Sequence, residues 1–373
     1  MSASGEGAES AGDPPRLIEI IPSPPLLVWD ITYACPLRCV HCYSESGRRR
    51  SRQLSADGLA RVAEAIVAGR PRAVVISGGE PLMVKGLLPV MARMRDAGIA
   101  TILYTSGWLD PGLVMDDLLR FASGIVVSLD GADAAVHDRI RGRPGAFTRA
   151  VRALGEFDAA VAEARRHGRP APELGIDTVV MRSNRHQIVS ICTEIAPRFP
   201  ALDTLSFGAV IPTGLASRTS FAEAELIGDA EALAMLDASF LATLQVLAPR
   251  WVRVSVTDIR KFQMHPDLIA TGMDIPPLQI EPDGRVRAMP IYEGTVGSLL
   301  DDPLERLWAR AIDRWSDNFV IGQLRAAGTM LDWARATRAI DRRFGTVADR
   351  ARITRRPDYA AAVLSGEAAG PEQ

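Results

Sequence analysis

The sequence predicts an α/β protein: a partial, TIM-like barrel of six β/α units, followed by a small α+β extension. Three observations lead to this prediction. From residue 26 onward, six short apolar runs alternate with amphipathic helical patterns, which is typical of a parallel sheet. No glycine-rich dinucleotide motif is present, which favours a barrel over an open nucleotide-binding sheet. Polar segments follow every apolar run, at the strand ends where such barrels carry their chemistry.

The first predicted unit illustrates how the elements are justified. "LLVWDIT" (26–32) is a mostly apolar run with the length of a buried strand. In the helical pattern that follows, Ser55 is a suitable N-cap and Gly69 a suitable stop. The same reasoning predicts further strands at 72–77, 99–106, 124–130, 174–181 and 202–209. It predicts the helices between and after them at 86–98, 111–121, 146–167 and 186–198.

The last third of the chain has a different pattern. Asp283-Gly284 is a strong turn dipeptide between two apolar runs and predicts a hairpin. The predicted elements are a long helix at 221–247, a strand at 251–256, the hairpin at 276–290 and an amphipathic helix at 303–315. We therefore expect four regions: a disordered tail (1–22), the partial barrel (23–220), the extension (221–325) and a helical segment with a tail (326–373).

Composition and charge exclude several classes of function. The 373 residues have a net charge of −2, so no overall field attracts nucleic acid or anionic lipid. No apolar stretch reaches the roughly 18 residues of a transmembrane helix, and "MSASGEGAESAGDPP" is not a signal peptide. We expect a cytoplasmic protein. The basic run of Arg48, Arg49, Arg50 and Arg52 is interpreted as a solvated loop, with contact to an anionic ligand as the alternative.

Three of the four cysteines form a compact motif. Cys35, Cys39 and Cys42 follow the first predicted strand with C-x3-C-x2-C spacing. Clustered thiolates select zinc, copper(I) or iron–sulfur clusters. Structural zinc normally has four ligands, but Cys192 lies in a distant predicted helix, where we expect a small buried side chain. His41 as the fourth ligand is awkward beside Cys42. A [4Fe–4S] cluster held by three thiolates leaves one iron open, as a catalytic site requires, although a structural metal remains the alternative.

At this point the chain resembles the radical S-adenosylmethionine (radical SAM) superfamily. The resemblance rests on C-x3-C-x2-C directly after the first strand of a β/α barrel and covers roughly residues 26–215. It implies that Cys35, Cys39 and Cys42 hold one [4Fe–4S] cluster, whose open iron is chelated by the amino and carboxylate groups of SAM. It also implies that the reduced cluster cleaves SAM, and that the resulting 5′-deoxyadenosyl radical abstracts a hydrogen atom from the substrate.

The resemblance extends to motifs after later strands. "SGGEP" (77–81) matches the family's motif for the SAM amino group, and its glycines permit close backbone approach. In "VSLDG", Ser128 and Asp130 point to one side of the strand and are expected to contact SAM. In "HDRIRG", Arg141 is preferred to Arg139 as the partner of the SAM carboxylate. The SAM-binding residues implied by these motifs are Gly78, Gly79, Glu80, Pro81, Ser128, Asp130 and Arg141.

Four further residues complete the expected site. The resemblance implies that Tyr43, directly after the last motif cysteine, packs near adenine. Asn184 is expected either to contact SAM or to cap the next helix. Ser106 in "YTSG" replaces the family's Asn in a segment that is expected to line the pocket, and His41 is expected to shield the cluster. Hydrogen abstraction needs no side-chain base, so no catalytic side chain is assigned.

The extension resembles the SPASM/twitch domains of radical SAM enzymes that modify peptides and small molecules. The matching segment is "IEPDGRVRAMPIYEGTVGSLLDDPLERLWA" (280–309). Met289 stands where the family has a cysteine, and no cysteine follows it in the sequence. We therefore expect the scaffold without auxiliary clusters, which leaves epimerisation, redox-neutral rearrangement, elimination, or coupling that returns its electron elsewhere.

These features predict a radical SAM enzyme acting on a ribosomal peptide or another natural-product precursor. The alternative substrate is a small molecule such as an amino sugar, nucleoside or cofactor precursor, and the remote alternative is a non-catalytic iron–sulfur or zinc protein. Only about 25 residues precede the first predicted strand, too few for a fused leader-binding domain, so a separate leader-binding protein is a possible partner. The expected reductant is a one-electron carrier such as flavodoxin or ferredoxin.

Overall fold

The structure is a computed structural model that describes residues 23–270 and 277–359. Its centre is one ten-stranded sheet, and we number the strands in chain order. They are β1 (Leu26–Thr32), β2 (Ala73–Gly78), β3 (Ala100–Thr105), β4 (Gly124–Ser128), β5 (Glu173–Val180), β6 (Thr204–Ala209), β7 (Arg253–Thr257), β8 (Leu278–Ile280), β9 (Arg285–Arg287) and β10 (Thr295–Ser298). The six predicted barrel strands are all present.

The order of the strands is β10-β9-β8-β1-β2-β3-β4-β5-β6-β7. Strands β1 to β6 pair in parallel with their sequence neighbours, as predicted. The sheet has edges at β7 and β10, which makes it a partial barrel. All carboxyl ends of β1 to β6 therefore lie at one rim, and the segments that follow them meet there.

The extension does not form a separate sheet. Its first strand, β7, pairs in parallel with β6, and β8 pairs in parallel with β1 at the other end of the barrel. The predicted hairpin is confirmed by the antiparallel β8–β9 pair, with Gly284 at φ +81° in its turn. The parallel part of the sheet thus has eight strands, and the extension contributes one to each end of the predicted six.

The helices cover the outside of the sheet. They are α1 (Ala56–Gly69), α2 (Leu87–Asp96), α3 (Met115–Phe121), α4 (Ala134–Arg141), α5 (Ala146–Arg166), α6 (Ile188–Ser190), α7 (Thr219–Glu225), α8 (Asp229–Ala234), α9 (Ala238–Leu247), α10 (Arg260–Gln263), α11 (Pro266–Ala270), α12 (Leu304–Trp315), α13 (Asn318–Arg325), α14 (Met330–Phe344) and α15 (Val347–Thr354). No helix in the described part of the chain is long and apolar enough to cross a membrane.

Helix α1 begins and ends close to the predicted signals. The Ser55 side chain accepts from the Gly58 amide, as expected of an N-cap. Gly69 is the last helical residue, and Arg70 takes the left-handed conformation at φ 50°. A Cβ at Gly69 would lie 2.4 Å from the Leu304 side chain. Glycine is therefore needed there for close packing against α12.

Two helix predictions were wrong. The long helix predicted at 221–247 is three helices, α7 to α9, because Gly228 and Asp237 are extended and interrupt it. Glycine has the greatest backbone freedom, and aspartate favours helix starts over helix interiors. The helix predicted at 186–198 consists of short 3-10, α and π segments, with Pro197 in its last turn. Cys192 is fully buried there, as expected.

Candidate active site

A cavity of about 440 Å³ lies at the carboxyl ends of the barrel strands. The structure places eight of the twelve predicted site residues on its wall: Cys35, Cys39, Cys42, Tyr43, Gly78, Gly79, Ser128 and Arg141. His41, Thr105 and Ser106 also line it, which agrees with the expected position of "YTSG". Glu80, Pro81, Asp130 and Asn184 do not line this cavity. They are buried directly behind its wall.

The cysteines lie on a loop, residues 33–47, that we call the cysteine loop. Two backbone bonds attach it to the end of α4, from the Arg38 amide to the Arg141 carbonyl (3.0 Å) and from the Val40 amide to the Ile140 carbonyl (2.9 Å). A third bond, from the Leu215 amide to the Cys42 carbonyl, is 3.1 Å long. The loop is therefore held by segments that follow two different strands.

Two glycines permit this loop to pack tightly. A Cβ at Gly79 would lie 2.0 Å from the Ala34 carbonyl oxygen, and one at Gly214 would lie 2.2 Å from the Tyr43 carbonyl oxygen. Real Cβ atoms do not approach backbone so closely, so any side chain at either position would displace the loop. The glycine of "SGGEP" thus shapes the cysteine loop as well as lining the cavity.

The three thiols of the cysteine loop are half-buried and free. Burial, followed by the neighbouring Cys39 thiol, raises the pKa of Cys35 well above its usual range. Burial also raises the pKa of Cys39 to about 11, although the Arg141 guanidinium opposes this shift. Neutral thiols are the result unless a positively charged group draws off their protons. Metal binding supplies that charge, because thiolates rather than thiols are the ligands.

The donor set fits an iron–sulfur cluster. All four cysteines in the sequence are free thiols, and Cys192 is in the core, away from the cavity. Within residues 23–270 and 277–359, no three His, Cys, Asp or Glu side chains converge on a position for a single metal ion. The three thiols nevertheless line the same cavity, and cysteine thiolates are the ligands of iron–sulfur clusters.

Glu80 organises the loop beside the cavity. Its carboxylate accepts from the Leu82 amide (3.2 Å), the Thr105 hydroxyl (2.9 Å), and the amide and hydroxyl of Ser106. Burial raises the pKa of Glu80, and these four hydrogen bonds oppose that shift. Pro81 starts the 3-10 turn that Glu80 caps. Both carboxylate oxygens already accept protein donors, so Glu80 holds the "YTSG" segment in place.

A buried ion pair fixes Arg141 at the cavity wall. The Arg141 Nε lies 2.7 Å from Asp130 Oδ2, and Arg141 Nη1 lies 4.0 Å from the Cys39 sulfur. Burial by itself would raise the pKa of Asp130, but Arg141, His41 and His137 together hold it below its usual value. Arg141 is therefore cationic and directed toward the thiols, which is the position expected for a partner of a SAM carboxylate.

Asn184 supports this ion pair from behind. Its side-chain oxygen accepts from the Met181 amide (2.7 Å), and its nitrogen donates to the carbonyls of Asp130 and Val179 (both 2.9 Å). Asn184 makes no side-chain cap to the following 3-10 turn. The expected side-chain cap is therefore not formed, and contact between Asn184 and SAM stays a prediction.

Tyr43 connects the cavity to the extension. Its hydroxyl donates to Asp30 Oδ1 (2.6 Å), and the Gln279 side-chain nitrogen donates to Asp30 Oδ2 (2.6 Å). The Gln279 oxygen in turn accepts from the Ile291 amide (2.6 Å). Burial raises the pKa of Asp30 to about 6, against the two hydrogen bonds and Arg287. This chain of bonds was not predicted, although an acid inside "LLVWDIT" was a visible signal.

Two ionisable residues on the cavity wall, Asp177 and Lys261, were not predicted from the sequence. Asp177 lies on β5 in register with Ser128 on β4 and Ser206 on β6. Burial raises its pKa to about 6, and it makes no ion pair within the described part of the chain. Lys261, on the short α10, also lines the cavity and forms no ion pair within the described part of the chain, although its charge helps to lower the pKa of Asp258. An acid within the strand "LGIDTVVM" was again the available signal.

The basic run after the cysteine loop is only partly the solvated loop that was expected, because Arg48 and Arg50 are exposed but Arg49 and Arg52 form ion pairs inside the molecule. The Arg49 side chain is 5% exposed, and it contacts Glu281, Glu293 and Asp349 at 3.4 to 3.9 Å. Arg52 pairs with Glu281 at 3.0 Å. The acidic partners come from the extension and from α15, more than 200 residues away in sequence. Local sequence therefore could not reveal that these charges are neutralised inside the molecule.

Most of the barrel matches a known protein family in sequence. Residues 29–188 match the radical SAM superfamily. The chain is 30% identical over 222 residues to the AdoMet-dependent heme synthase of Nitratidesulfovibrio vulgaris, covering 57% of this chain and 56% of that protein. It is 31% identical over 206 residues to the mycofactocin maturase MftC of Mycolicibacterium smegmatis, covering 54% and 49%. The matches thus span about half the length of these curated relatives.

Solved structures agree in fold. Streptococcus suis SuiB bound to S-adenosylmethionine aligns with a TM-score of 0.58 at 18% identity, covering 82% of this chain and 68% of that one. SuiB bound to the precursor peptide SuiA aligns with a TM-score of 0.56 at 16% identity, covering 83% and 70%. Radical SAM domains use a [4Fe–4S] cluster and SAM, and the cavity thiols and Arg141 are the residues of this chain that could hold these groups. The match over residues 29–188 and the two curated relatives thus show that the chain is similar to radical SAM enzymes in its barrel region, and the solved structures show the same fold.

Proposed function

We propose that the chain uses a single [4Fe–4S] cluster to cleave SAM reductively and abstract a hydrogen atom from a peptide or another natural-product precursor. The observation that carries this proposal is the shared cavity wall. Three free thiols, Gly78-Gly79 and the cationic Arg141 converge on one space at the carboxyl ends of the strands. The wall facing them comes from the extension, which leaves room between cofactor and extension for a substrate.

Each wall residue has a distinct part in this proposal. Cys35, Cys39 and Cys42 would hold the cluster, and the guanidinium of Arg141 would pair with the carboxylate of SAM. The glycines would let backbone approach the bound cofactor closely. When bound, the cluster and SAM supply the one-electron chemistry that removes a hydrogen atom from the substrate, while the protein positions the reactants.

The extension supports a substrate with both apolar and anionic groups. Phe262, Pro277, Pro290 and Ile291 form an apolar part of the facing wall, and Lys261 adds a cation that forms no ion pair among the described residues. Only Lys85 and Lys261 among the 43 basic residues are lysines. A carboxylate or phosphate on the substrate would neutralise this charge.

Two classes of substrate fit this wall. MftC and SuiB support a peptide, since one is named a maturase and the other was solved with a precursor peptide. The heme synthase supports a small molecule, and the cavity of about 440 Å³, which also has to hold SAM, favours a compact reacting group. Incubation with a peptide encoded beside the gene distinguishes them: a SAM-dependent mass change of that peptide supports the first class.

The test of the proposed activity uses protein reconstituted anaerobically with iron and sulfide. After reduction with dithionite, wild-type protein should convert SAM to 5′-deoxyadenosine. Cys35→Ala, Cys39→Ala and Cys42→Ala should each lose both the cluster absorbance and the product, because each thiolate binds a different iron. Cys192→Ala is the matched control and should retain both, because Cys192 lies in the core. An intact cluster in the wild type without SAM cleavage would refute the proposal.

A further inference from the structure

A second cavity, of about 430 Å³, opens on the surface between α7, α14 and the segment that follows α15. Its charged lining consists of Arg218, Arg338, Arg342, Arg356, Glu223 and Asp358, and we call it the basic groove. It shares no lining residue with the cavity of the thiols. A molecule bound in the basic groove therefore occupies a different place from SAM and the substrate of the proposed reaction.

The arginines of the basic groove are incompletely neutralised. Burial, and then the positive charges of Arg335, Arg342 and Arg356, lower the pKa of Arg338. The Arg338 side chain donates to the Ser217 carbonyl, and Arg342 is exposed without an ion pair in the described part of the chain. Arg356 is paired internally with Glu45 at 2.7 Å. The groove consequently presents Arg338 and Arg342 as a positive surface to any molecule that approaches it.

One arginine joins the basic groove to the cysteine loop. Arg218 donates from Nη1 to the Pro357 carbonyl (2.8 Å) at the groove and from Nη2 to the Val40 carbonyl (2.8 Å). Val40 lies between Cys39 and Cys42. Arg218 also donates from Nε to the carbonyl of Leu215 (2.7 Å), whose amide binds the Cys42 carbonyl. A single side chain thus separates the groove from the backbone that carries the thiols.

Some arginines near the cysteine loop could compensate the negative charge of the cluster, but this role does not account for Arg338 and Arg342. Arg38 and Arg48 donate to carbonyls of the cysteine loop, and Arg141 contacts Cys39, so these three suit that purpose. Arg338 and Arg342 make no such bond within the described residues. They line the groove, where Glu223 offsets part of their mutual repulsion and an anionic partner would offset more of it.

We propose that the basic groove docks a small acidic one-electron carrier protein that reduces the cluster. This inference rests on the proposed function, since only a redox-active cluster needs such a partner. One electron leaves the carrier, which is oxidised, and enters the cluster, which is reduced, and no bond forms or breaks. Complementary charge steers such encounters and fixes their orientation. Docking beside the cysteine loop keeps the transfer distance short, and electron tunnelling rates fall steeply with distance.

The binding test uses full-length reconstituted protein and an acidic flavodoxin as the probe. Arg342→Glu and Arg338→Glu should each weaken binding by about tenfold at low salt and reduce its dependence on ionic strength. Arg343→Glu is the matched control, because it makes the same charge change on α14 but its guanidinium lies over Phe319, 5.7 Å from the ring centre. It should bind flavodoxin as the wild type does. Equal binding by all four proteins would overturn the proposal.

A second arm separates docking from SAM chemistry. With dithionite, which needs no docking surface, Arg342→Glu and wild type should form 5′-deoxyadenosine at the same rate, whereas with reduced flavodoxin the variant should be slower. Equal loss with both reductants would overturn the docking role. If the wild type forms no 5′-deoxyadenosine even with dithionite, the proposed function fails. The flavodoxin-binding measurement still decides, in that case, whether the basic groove is a docking surface. Loss of binding to an acidic substrate peptide, with flavodoxin binding intact, would reassign the groove to that peptide.

Discussion

Single residues around the cavity differ in the charges that they face. Asp130 contacts a cation at 2.7 Å and has a lowered pKa, whereas Asp177 faces the cavity without a cation and has a pKa raised to about 6. Asp130 is fully buried but lies beside Arg141, His41 and His137, which lower its pKa. By contrast, burial and the negative charge of Asp130 raise the pKa of the half-buried Asp177 more than Ser206 and Arg141 lower it. Asp177 is therefore the group available to accept a hydrogen bond or a positive charge from a ligand.

This contrast predicts opposite effects of pH. The folded state binds the Asp177 proton more tightly than the unfolded state, so the carboxyl stabilises the fold below pH 4 and loses that contribution as pH rises to about 6. Relative to wild type, Asp177→Asn should gain up to about 3 kcal/mol in its free energy of unfolding over that range. Urea denaturation at several pH values, without added iron, measures this difference.

Asp130→Asn provides the contrasting variant. The folded-state pKa of Asp130 is lowered, so its stabilising contribution is present at neutral pH and is lost as pH falls through that value. The stability of Asp130→Asn relative to wild type should therefore be poorest at neutral pH. Parallel pH profiles for wild type and Asp177→Asn would contradict the description of Asp177 as an unpaired half-buried acid.

At the scale of elements, the sequence was most informative where a local pattern decides the structure. All six barrel strands, the Ser55 cap and the Asp283-Gly284 hairpin were predicted, because apolar runs, cap residues and turn dipeptides act over a few residues. The helix at 221–247 was wrong because its apolar periodicity continues through Gly228 and Asp237. Periodicity gives the face of a helix and does not locate its interruptions.

The residues of the cavity wall, like the helices and strands, could be predicted where a local motif marks them. The thiols, the glycines and Arg141 follow strands in recognisable motifs, and the structure brings them together. Lys261 and Gln279 could not be placed, since each reaches the site from an element more than 200 residues beyond β1. No local pattern states which distant segment covers the open side of a partial barrel.

Strand β8 contributes a bond network that should be essential for the fold. Gln279→Ala would remove the donor to Asp30 Oδ2 and the acceptor of the Ile291 amide, and the first of these bonds is buried and the second part-buried, at a side chain that is 1% exposed. The expected cost is about 2–4 kcal/mol in the free energy of unfolding. Gln245→Ala is the control. It also loses two backbone bonds, but at a half-buried position, where water replaces them at about 1 kcal/mol or less.

Urea denaturation of both variants measures these costs. A similar small loss in Gln279→Ala and Gln245→Ala would show that β8 is not anchored to the barrel through Asp30. A larger loss in Gln279→Ala, together with weaker retention of iron, would agree with the link from Asp30 to Tyr43 on the cysteine loop.

At the scale of the whole molecule, the extension and the last helix enclose the cysteine loop. Arg287 is fully buried and pairs with Glu281 at 3.1 Å, and Arg352 on α15 pairs with Glu293 at 2.6 Å and contacts Glu45 on the cysteine loop. Removing one member of such a buried pair leaves its partner unneutralised and costs more than the pair contributes. The extension thus stabilises the loop by ion pairs, whatever it contributes to the substrate wall.

Met289 lies in this packed region. Its side chain is buried in the core next to Ala288, at the position where the SPASM/twitch resemblance has a ligand cysteine, and no cysteine follows it in the sequence. A single cluster with an open iron is accordingly the central claim, and all proposed chemistry has to proceed with it.

Iron content and electron paramagnetic resonance of the reconstituted, reduced protein test this claim most directly. We expect roughly four iron atoms per chain and a [4Fe–4S] signal that changes when SAM is added, because SAM would bind the iron that lacks a cysteine. About eight iron atoms per chain, or a signal that SAM leaves unchanged, would contradict it.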